Sequence, residues 1–306
     1  MPPKVIVLIL SFNGKHLLED CIGSYAVNDY ENFEIVVIDN GSTDGTREYV
    51  QREFPAVKVL RTDVNLKYSG GFNFGMKHAF GEIKGDYVLI TNNDVKADKG
   101  LIGALVDAAE TNETAGFVIG KVFYFDNPDT FQTVGKRFDP VMWNGGHIGR
   151  REKDKGQYDS DAERDWCDDI YWLVKREVWE QTGGYDTEFA FQGEDFDWQV
   201  RAKKLGYKII YAHRARLWHK ESMTIGRTSA FKAYYDARNP IIIHMKYRSI
   251  GEFRRFLHVR LRSLLRNSLR QMARFQFKHA WANISGLLSA MFWGIRNKRL
   301  TLRHLF

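Results

Sequence analysis

Cysteine is scarce in this 306-residue chain, which contains only Cys21 and Cys167. Two isolated cysteines form neither a disulfide framework nor a C-x-x-C metal site, so the sequence favours a reducing compartment. The apolar run at residues 5–10 is short and lacks a small-residue cleavage pattern, which indicates a first strand and not a signal peptide. The uncharged stretch at residues 280–295 has sixteen residues, which is fewer than the roughly 20 needed to span a bilayer.

Acidic residues are nearly absent from the C-terminal part of the chain. Residues 246–306 contain fourteen Lys or Arg and a single acid, Glu252. The first 245 residues carry 31 bases and 37 acids. A mildly acidic body followed by a strongly basic tail indicates a polyanionic partner for the tail alone.

Short β-branched runs alternate with amphipathic segments over the first hundred residues. The pattern predicts strands at 5–10, 34–38, 57–61 and 87–91, and helices at 15–25, 46–53, 72–80 and 101–111. Continuously apolar strands separated by helices are typical of parallel neighbours covered on both faces, so the predicted class is α/β. Later come a strand at 117–125, long loops with antiparallel strands, helices at 177–181 and 196–205, a short strand at 207–211, and helix from residue 228 onward.

Polar side chains follow three of the predicted strands. The stretches are Ser11-Phe12-Asn13-Gly14, Asp39 to Gly45, and Asn92-Asn93-Asp94. The carboxyl ends of parallel strands share one edge of a sheet, where open α/β sheets bind ligands. A local explanation is the alternative, since Asn and Asp favour turns and Thr43 or Asp44 would cap the next helix. Asp39 stands just before a glycine turn and is well placed to accept hydrogen bonds from a nucleobase or ribose.

The loop from Asn65 to Gly75 contains the adjacent glycines Gly70 and Gly71. Adjacent glycines let the backbone approach a ligand closely, and helix-terminal amides favour phosphate. The loop matches neither G-x-G-x-x-G nor G-x-x-x-x-G-K-[ST]. It therefore predicts phosphate contact without a named nucleotide motif.

Three further positions could carry chemistry. Asp94 could hold a divalent ion that bridges a diphosphate, because magnesium needs only one or two protein ligands beside phosphate and water. Glu194, Asp195 and Asp197 stand at the start of a predicted helix, where capping explains one acid and general-base activation of a hydroxyl explains another. His219 is either a structural residue or a ligand.

Taken in this order, the motifs resemble glycosyltransferase family 2, the inverting nucleotide-sugar transferases of the GT-A fold. The matching positions lie between residues 5 and 239 and include the three strand-end stretches, Gly70 to Gly75, Gly183-Gly184-Tyr185-Asp186, Glu194 to Trp198, Gly206-Tyr207 and Leu217-Trp218-His219. Each motif is weak alone, and the full set in this order is specific. The resemblance implies a GT-A catalytic domain over residues 1–227. The pattern of the remaining residues predicts a basic, amphipathic helical region over residues 228–306.

The resemblance also implies which residues form the site. The donor-binding residues would be Ser11, Asn13, Asp39, Gly70, Gly71, Asn73, Asn93 and Asp94. Asp94 and His219 would bind a divalent cation, Mg²⁺ or Mn²⁺, and Asp195 would be the base that takes a proton from the acceptor hydroxyl. The implied reaction is one in-line displacement at the anomeric carbon with inversion, while the cation stabilises the departing nucleoside diphosphate.

Within the family, residues 92–94, the Glu-Asp-x-Asp helix start and residues 234–239 look most similar to rhamnosyltransferases of bacterial surface polysaccharides. These imply a dTDP- or UDP-linked sugar donor and a saccharide or polyprenyl-linked acceptor. The chain departs from such relatives at residues 168–172, where bulky and charged side chains replace a small segment. Trp172, Glu194 and Trp198 form the predicted acceptor region, whose occupant this departure leaves open.

Two rows of side chains with i,i+4 spacing run along residues 257–278. The apolar row is Leu257, Leu261, Leu265, Leu269, Ala273 and Phe277, and the basic row is His258, Arg262, Arg266, Arg270, Arg274 and Lys278. An apolar face flanked by bases is typical of helices that lie at anionic membrane surfaces. The alternatives are a helical subdomain packed on the catalytic body and a contact of a homo-oligomer. No recognised module accompanies the bases, so nucleic acid is not an expected partner.

These observations predict an inverting glycosyltransferase that is cytoplasmic and peripherally associated with the inner face of the cell membrane. One alternative is a nucleotidyltransferase, but such enzymes have a Gly-rich segment with Arg and Lys after the first strand, where this chain has residues 11–14. The other alternative is a non-catalytic nucleotide-sugar-binding or membrane-scaffold protein. The joint presence of Asp94, Asp195 and His219 disfavours it.

Overall fold

A computed structural model of the chain describes residues 1–220 and 229–299. The described residues divide into two compact units. The first contains residues 1–138, 144–190 and 194–220, and the second contains residues 139–143, 191–193 and 229–299. The predicted domain boundary between residues 227 and 228 lies outside the described residues.

Strands and helices alternate in the first part of the chain, and helices alone follow residue 229. The strands are β1 Val5–Ser11, β2 Phe33–Asp39, β3 Lys58–Arg61, β4 Tyr87–Thr91, β5 Val95–Ala97, β6 Ala115–Tyr124, β7 Phe131–Thr133, β8 Lys136–Asp139, β9 Trp143–His147, β10 Ala162–Arg164, β11 Tyr171–Lys175 and β12 Lys208–His219. The helices are α1 Leu18–Ala26, α2 Thr46–Glu53, α3 Lys67–Gly81, α4 Leu101–Thr111, α5 Arg176–Thr182, α6 Glu194–Lys204, α7 Ala230–Tyr247, α8 Ile250–Ala273 and α9 Phe277–Arg296.

The first unit is built on a mixed sheet with the strand order β10-β12-β6-β11-β4-β1-β2-β3. β1 runs parallel to β2 and β4, and β2 runs parallel to β3. In this register Ser11 lies beside Asp39, and Asp39 lies beside Arg61. The predicted α/β class with parallel neighbours is therefore confirmed, and the polar ends of these strands meet at one edge.

Alternation along the strands explains how helices cover both faces of this sheet. Val5, Val7 and Ile9 point into a core shared with α1 and α4. α3 packs on the other face, where a Cβ on Gly75 would lie 2.2 Å from Cδ1 of Ile38 and 3.2 Å from Cδ1 of Leu8. The glycine therefore lets this helix approach the sheet closely.

α3 begins at Lys67, five residues before the predicted start. The side-chain oxygen of Asn65 accepts the N–H of Lys67 at 2.8 Å, which fixes the chain just before the helix. Gly70 and Gly71 therefore lie inside the helix and not in a loop before it. Glycine is a poor helix former, so the sequence placed the start too late.

β12 is also longer than predicted, because it continues beyond residue 211 to His219. In its second half the buried residues Ala215, Leu217 and His219 alternate with more exposed neighbours. The charged side chains Arg214 and Arg216 occupy the exposed positions and hide the strand pattern. The extension carries His219 to β5, where it pairs with Val95.

The second unit consists mainly of α7, α8 and α9, so the prediction of C-terminal helices is confirmed. α8 starts with a capping box in which Ser249 and Glu252 satisfy each other's backbone N–H groups. α7 and α9 pack closely, since a Cβ on Gly286 would lie 2.4 Å from the carbonyl oxygen of Tyr234. None of the helices in residues 1–220 and 229–299 combines the length and apolarity needed to cross a membrane.

Candidate active site

Polar side chains gather at the carboxyl ends of β1, β2 and β4. The amide nitrogen of Asn93 lies 3.5 Å from the buried hydroxyl of Ser11. The backbone N–H of Asn13 donates to the Ser42 hydroxyl at 3.0 Å, and the Asn13 side-chain oxygen accepts the N–H of Thr43 at 2.8 Å. The structure thus brings Ser11, Asn13 and Asn93 to one sheet edge, as their positions in the sequence suggest.

Asp39 is fully buried at this edge, and both of its carboxylate oxygens have partners. One oxygen accepts the N–H of Ser42 at 2.9 Å, and the other contacts the guanidinium of Arg61. The Arg61 side chain is 37% exposed. The accessible charge here is therefore the Arg61 cation, which differs from the expected direct contact of Asp39 with a nucleobase. Sequence reasoning missed Arg61, although its place at the end of β3 was an available signal.

Residues of α3 that the sequence assigned to donor binding are engaged in packing. A Cβ on Gly71 would lie 2.6 Å from Cδ1 of Leu10 in β1, and a Cβ on Gly70 would lie 3.0 Å from Cβ of Leu66. The Asn73 amide donates to the carbonyl of Tyr185 at 2.8 Å and accepts its N–H at 3.0 Å. Gly71 and Asn73 therefore position the helix, because their space and hydrogen bonds are already used by the protein itself.

Asp94 and His219 lie side by side although they are distant in the sequence. The pairing of β5 with β12 brings them together, and Nε2 of His219 is 3.2 Å from Oδ1 of Asp94. Both side chains are buried. On the other side of the ring, Nδ1 of His219 lies 2.9 Å from the side-chain oxygen of Gln132 in β7. Gln132 is a residue that sequence reasoning missed, since nothing in its local pattern marks it.

Asp94 and His219 fit one corner of a cation site that is completed by a ligand. Because the Gln132 oxygen can only accept, Nδ1 of His219 is the nitrogen that donates to it. When Nε2 carries no proton, its lone pair faces the Asp94 oxygen. Two electron-rich atoms at 3.2 Å require a proton or a cation between them. Within residues 1–220 and 229–299 no group of three or more His, Cys, Asp or Glu is arranged to hold a metal. Mg²⁺ and similar ions bind with one or two carboxylates plus substrate phosphates.

Asp195 lies in the first turn of α6 and is half-buried. Burial raises the pKa of Asp195, the Lys136 ammonium opposes this rise, and the Asp168 carboxylate adds to it. Burial and the Asp195 carboxylate also raise the pKa of Asp169 well above its ordinary value. The hydroxyl of Tyr185 donates to Asp169 at 2.8 Å. These raised pKa values suit proton transfer, because a general base works best near the operating pH.

Sequence reasoning missed Lys136, a charged residue beside these acids. The ammonium of Lys136 contacts one oxygen of Asp168, and Nδ1 of His147 lies 3.2 Å from the other. Burial alone would raise the pKa of Asp168, but Lys136 and His147 hold it well below its usual range. Asp168 is therefore ionised, whereas Asp169 next to it favours the protonated form.

The predicted acceptor residues Trp172 and Trp198 have no exposed surface. Their rings pack edge to face at 5.7 Å, and the indole N–H of Trp198 donates to the Thr182 hydroxyl at 2.6 Å. Glu194 is also buried. The two tryptophans therefore cannot contact a saccharide directly in this structure, and they support the acidic side chains through packing.

Comparisons with known proteins identify the family and the fold. Residues 6–179 match the family model for Glycosyl transferase family 2. An N-acetylglucosaminyl-diphospho-decaprenol L-rhamnosyltransferase of Mycobacterium tuberculosis is 28% identical over 248 residues, which cover 74% of this chain and 78% of the relative. A GalNAc(5)-diNAcBac-PP-undecaprenol beta-1,3-glucosyltransferase of Campylobacter jejuni is 29% identical over 118 residues, covering 39% of this chain and 38% of the relative.

Two solved structures share the fold. The mannosyltransferase PcManGT from Pyrobaculum calidifontis, in complex with GDP-Man and Mn²⁺, superposes with a TM-score of 0.55 at 18% identity, covering 100% of this chain and 78% of that one. GalNAc-T7 with UDP, GalNAc and Mn²⁺ superposes with a TM-score of 0.60 at 15% identity, covering 79% and 47%. The family model spans more than half of the chain, and the fold is that of GT-A glycosyltransferases. The chain therefore belongs to glycosyl transferase family 2 and is a glycosyltransferase.

Proposed function

We propose that the protein transfers a sugar, with rhamnose the first candidate, from a dTDP- or UDP-linked donor to a hydroxyl of a polyprenyl-linked or growing surface saccharide. The transfer is inverting and needs a divalent cation, Mg²⁺ or Mn²⁺. The observation that carries this proposal is the pairing of Asp94 with His219 at 3.2 Å, in the same unit as the acid Asp195. The two named relatives act on polyprenyl-diphosphate-linked saccharides, as their names state, and this supports the acceptor class.

In this proposal the donor nucleotide lies at the edge formed by Ser11, Asn13, Asn93 and the Asp39–Arg61 pair. Arg61 is partly exposed and can donate to a base carbonyl or a phosphate, while Asp39 fixes its guanidinium. Asp94 and His219 hold the cation, which stabilises the negative charge of the leaving nucleoside diphosphate when it is bound. The two solved structures with Mn²⁺ support a divalent cation.

Asp195 is the proposed general base for the acceptor hydroxyl. Its carboxylate lies at the first turn of α6, where backbone N–H groups of Asp195 and Phe196 stabilise the anion. Inversion follows from a single displacement, in which Asp195 takes the hydroxyl proton while the oxygen attacks the anomeric carbon and the bond to the diphosphate breaks. No protein nucleophile is needed for this step.

The C-terminal helices are the proposed membrane contact, with residues 1–227 as the catalytic domain and 228–306 as the membrane-associated region. Between residues 261 and 295, ten large apolar side chains are at least 39% exposed: Leu261, Leu265, Leu269, Met272, Phe275, Phe277, Trp281, Leu288, Phe292 and Ile295. All six members of the basic row are exposed: four lie on α8, Arg274 lies at its C-terminal end, and Lys278 lies in the first turn of α9. An exposed apolar face flanked by cations fits an anionic bilayer, whereas a second copy of the same surface would bring like charges together.

Donor turnover tests the catalytic proposal directly. A panel of nucleotide sugars with Mn²⁺ is screened by thermal shift, and nucleoside diphosphate release is then measured with polyprenyl-linked acceptors. Asp195→Asn should abolish transfer while leaving donor binding largely intact, and Asp94→Ala should remove activity together with its metal dependence. Full activity in Asp195→Asn would show that Asp195 is not the general base. Unchanged Mn²⁺ dependence in Asp94→Ala would contradict the role of Asp94.

Vesicle binding tests the membrane proposal. The double variant Leu265→Gln/Leu269→Gln should lower the affinity for phosphatidylglycerol vesicles by at least about tenfold, because burying a leucine contributes about 1.5–3 kcal/mol. Leu205→Gln is the matched control, since Leu205 is 54% exposed but lies in the first unit. Equal vesicle affinity of the double variant and the control would remove the membrane role, and concentration-dependent self-association lost in the double variant would assign this face to a second copy.

A further inference from the structure

Lys136 is a buried lysine in the first unit that the reaction scheme above does not use. Its backbone N–H donates to the carbonyl of Trp166 at 2.7 Å, and the N–H of Trp166 donates back at 3.3 Å. Its ammonium contacts Asp168, which His147 approaches from the other side. Lys136 and His147, which lie on different strands, thus both contact the carboxylate of Asp168.

The segment that carries Asp168 is fixed to the first turn of α6. The side chain of Gln199 accepts the N–H of Cys167 at 2.9 Å and donates to the Cys167 carbonyl and to the Asp195 carbonyl, both at 3.0 Å. The ring of Trp166 packs against the ring of Phe196 with centroids 4.5 Å apart. Trp166 and Cys167 therefore hold the segment just before Asp168 against the first turn of α6.

The charges near Asp195 are predominantly negative. The titratable groups that act on it or respond to it are Asp168, Asp169, Cys167, Tyr68 and Lys136. Glu194 precedes it on its own helix. Lys136 is the cation among them. An opposite charge within about 4–6 Å typically lowers the pKa of an acid by about 1–3 units, and like charges raise it.

We propose that Lys136 is a positioning residue that keeps Asp195 ionised and in place as the base, by balancing the carboxylates that surround it. The ammonium contacts one oxygen of Asp168, and His147 approaches the other oxygen. The inference rests on the proposed function for the role of Asp195, but the ionisation of Asp195 can be measured without any substrate. Lys136 itself touches no reacting atom in this scheme.

Selective ¹³C labelling of aspartate carboxyl groups allows the ionisation of Asp195 to be followed by NMR, with Asp195→Asn to assign its signal. In Lys136→Met the titration of Asp195 should move to higher pH by about 1 unit. In Asp168→Asn, which removes a carboxylate and frees the lysine, it should move to lower pH. A purely structural role would not give shifts of opposite sign.

Lys121→Met is the matched control, because Lys121 is also buried and contacts two carboxylates, Asp154 and Asp159, in the same unit. Its substitution should leave the Asp195 titration unchanged, and Lys136→Arg should restore the wild-type titration. An Asp195 signal that titrates identically in wild type and Lys136→Met, or that shifts equally in Lys121→Met, would overturn the proposal.

Transfer activity provides the second readout. Once a donor is identified, kcat/KM of Lys136→Met should fall about tenfold at pH values below the pKa of Asp195, as a shift of about 1 unit requires. The loss should shrink as the pH rises, because the base is then ionised again. If the NMR titrations shift as expected but the protein transfers no sugar from any donor, the proposed function is refuted. The proposed effect of Lys136 on the ionisation of Asp195 would still stand. A loss of activity that no pH restores, with an unshifted titration, would refute the role of Lys136.

Discussion

Replacing Gln132 should weaken cation binding although Gln132 does not face the cation. Its side-chain oxygen lies 2.9 Å from Nδ1 of His219, and Nε2 of the same ring lies 3.2 Å from Asp94. The hydrogen bond fixes both the tautomer and the orientation of the ring. In Gln132→Met the ring loses this partner, so Nδ1 and Nε2 can exchange the proton and the ring can rotate.

The size of the effect follows from the geometry. Loss of a residue that orients a metal-bound histidine typically costs 10–100-fold in metal affinity, which corresponds to about 1.4–2.7 kcal/mol. We expect the loss of Mn²⁺ affinity to fall within this 10–100-fold range, because His219 is buried and water has little access to replace the lost acceptor. Gln132→Glu retains an acceptor at the same place and should bind the cation at least as tightly as wild type.

The assay is Mn²⁺ binding in the presence of a nucleoside diphosphate, followed by calorimetry or by the EPR signal of free Mn²⁺. Gln181→Met is the control, since Gln181 is exposed on α5 and its amide donates to Glu177. If Gln132→Met binds Mn²⁺ as tightly as wild type and the control, the reasoning about His219 is wrong, whatever the effect on transfer.

Two other predictions concern stability. Burial raises the pKa of Asp169, so the stability that its protonated side chain contributes is lost as the pH rises through the folded-state pKa. Asp169→Asn should therefore raise Tm relative to wild type more at pH 9 than at pH 5. Equal differences in Tm at the two pH values would contradict the burial argument. Gly120→Ala should destabilise the fold by about 1–3 kcal/mol, because its Cβ would lie 2.3 Å from the carbonyl oxygen of Ala215. Denaturant unfolding measures this loss, and Gly23→Ala, with open space at the Cβ, should show none.

The parallel core was predictable because its signal is local. β1, β2 and β4 are continuous apolar runs that end in polar residues, and the predicted strands agree with the observed ones to within a residue or two. α2 and α4 also have the predicted bounds, since their amphipathic patterns are uninterrupted. The shared edge of Ser11, Asp39 and Asn93 follows from parallel pairing alone.

The charge arrangement around Asp195 could not be predicted, because it depends on contacts between distant segments. Lys136, His147 and Asp168 lie on separate elements, and no spacing in the sequence relates them. The same holds for Arg61, whose partner Asp39 is one strand away. Asn73 and Gly71, which a motif assigned to donor binding, also have a packing role that the sequence did not reveal, through the hydrogen bond to Tyr185 and the close approach to Leu10.

The orientation of His219 depends on an irregularity in the pairing of β12 with β6. Between two paired positions β12 advances from Tyr211 to Arg216, while β6 advances only from Ile119 to Lys121. β12 therefore contains three more residues than its partner over this interval, and an odd number reverses which face the following side chains occupy. Gly120 lies opposite this irregularity and leaves room for it. A β12 without the extra residues would turn His219 away from Asp94, so a packing glycine on a neighbouring strand helps determine whether the proposed cation corner exists.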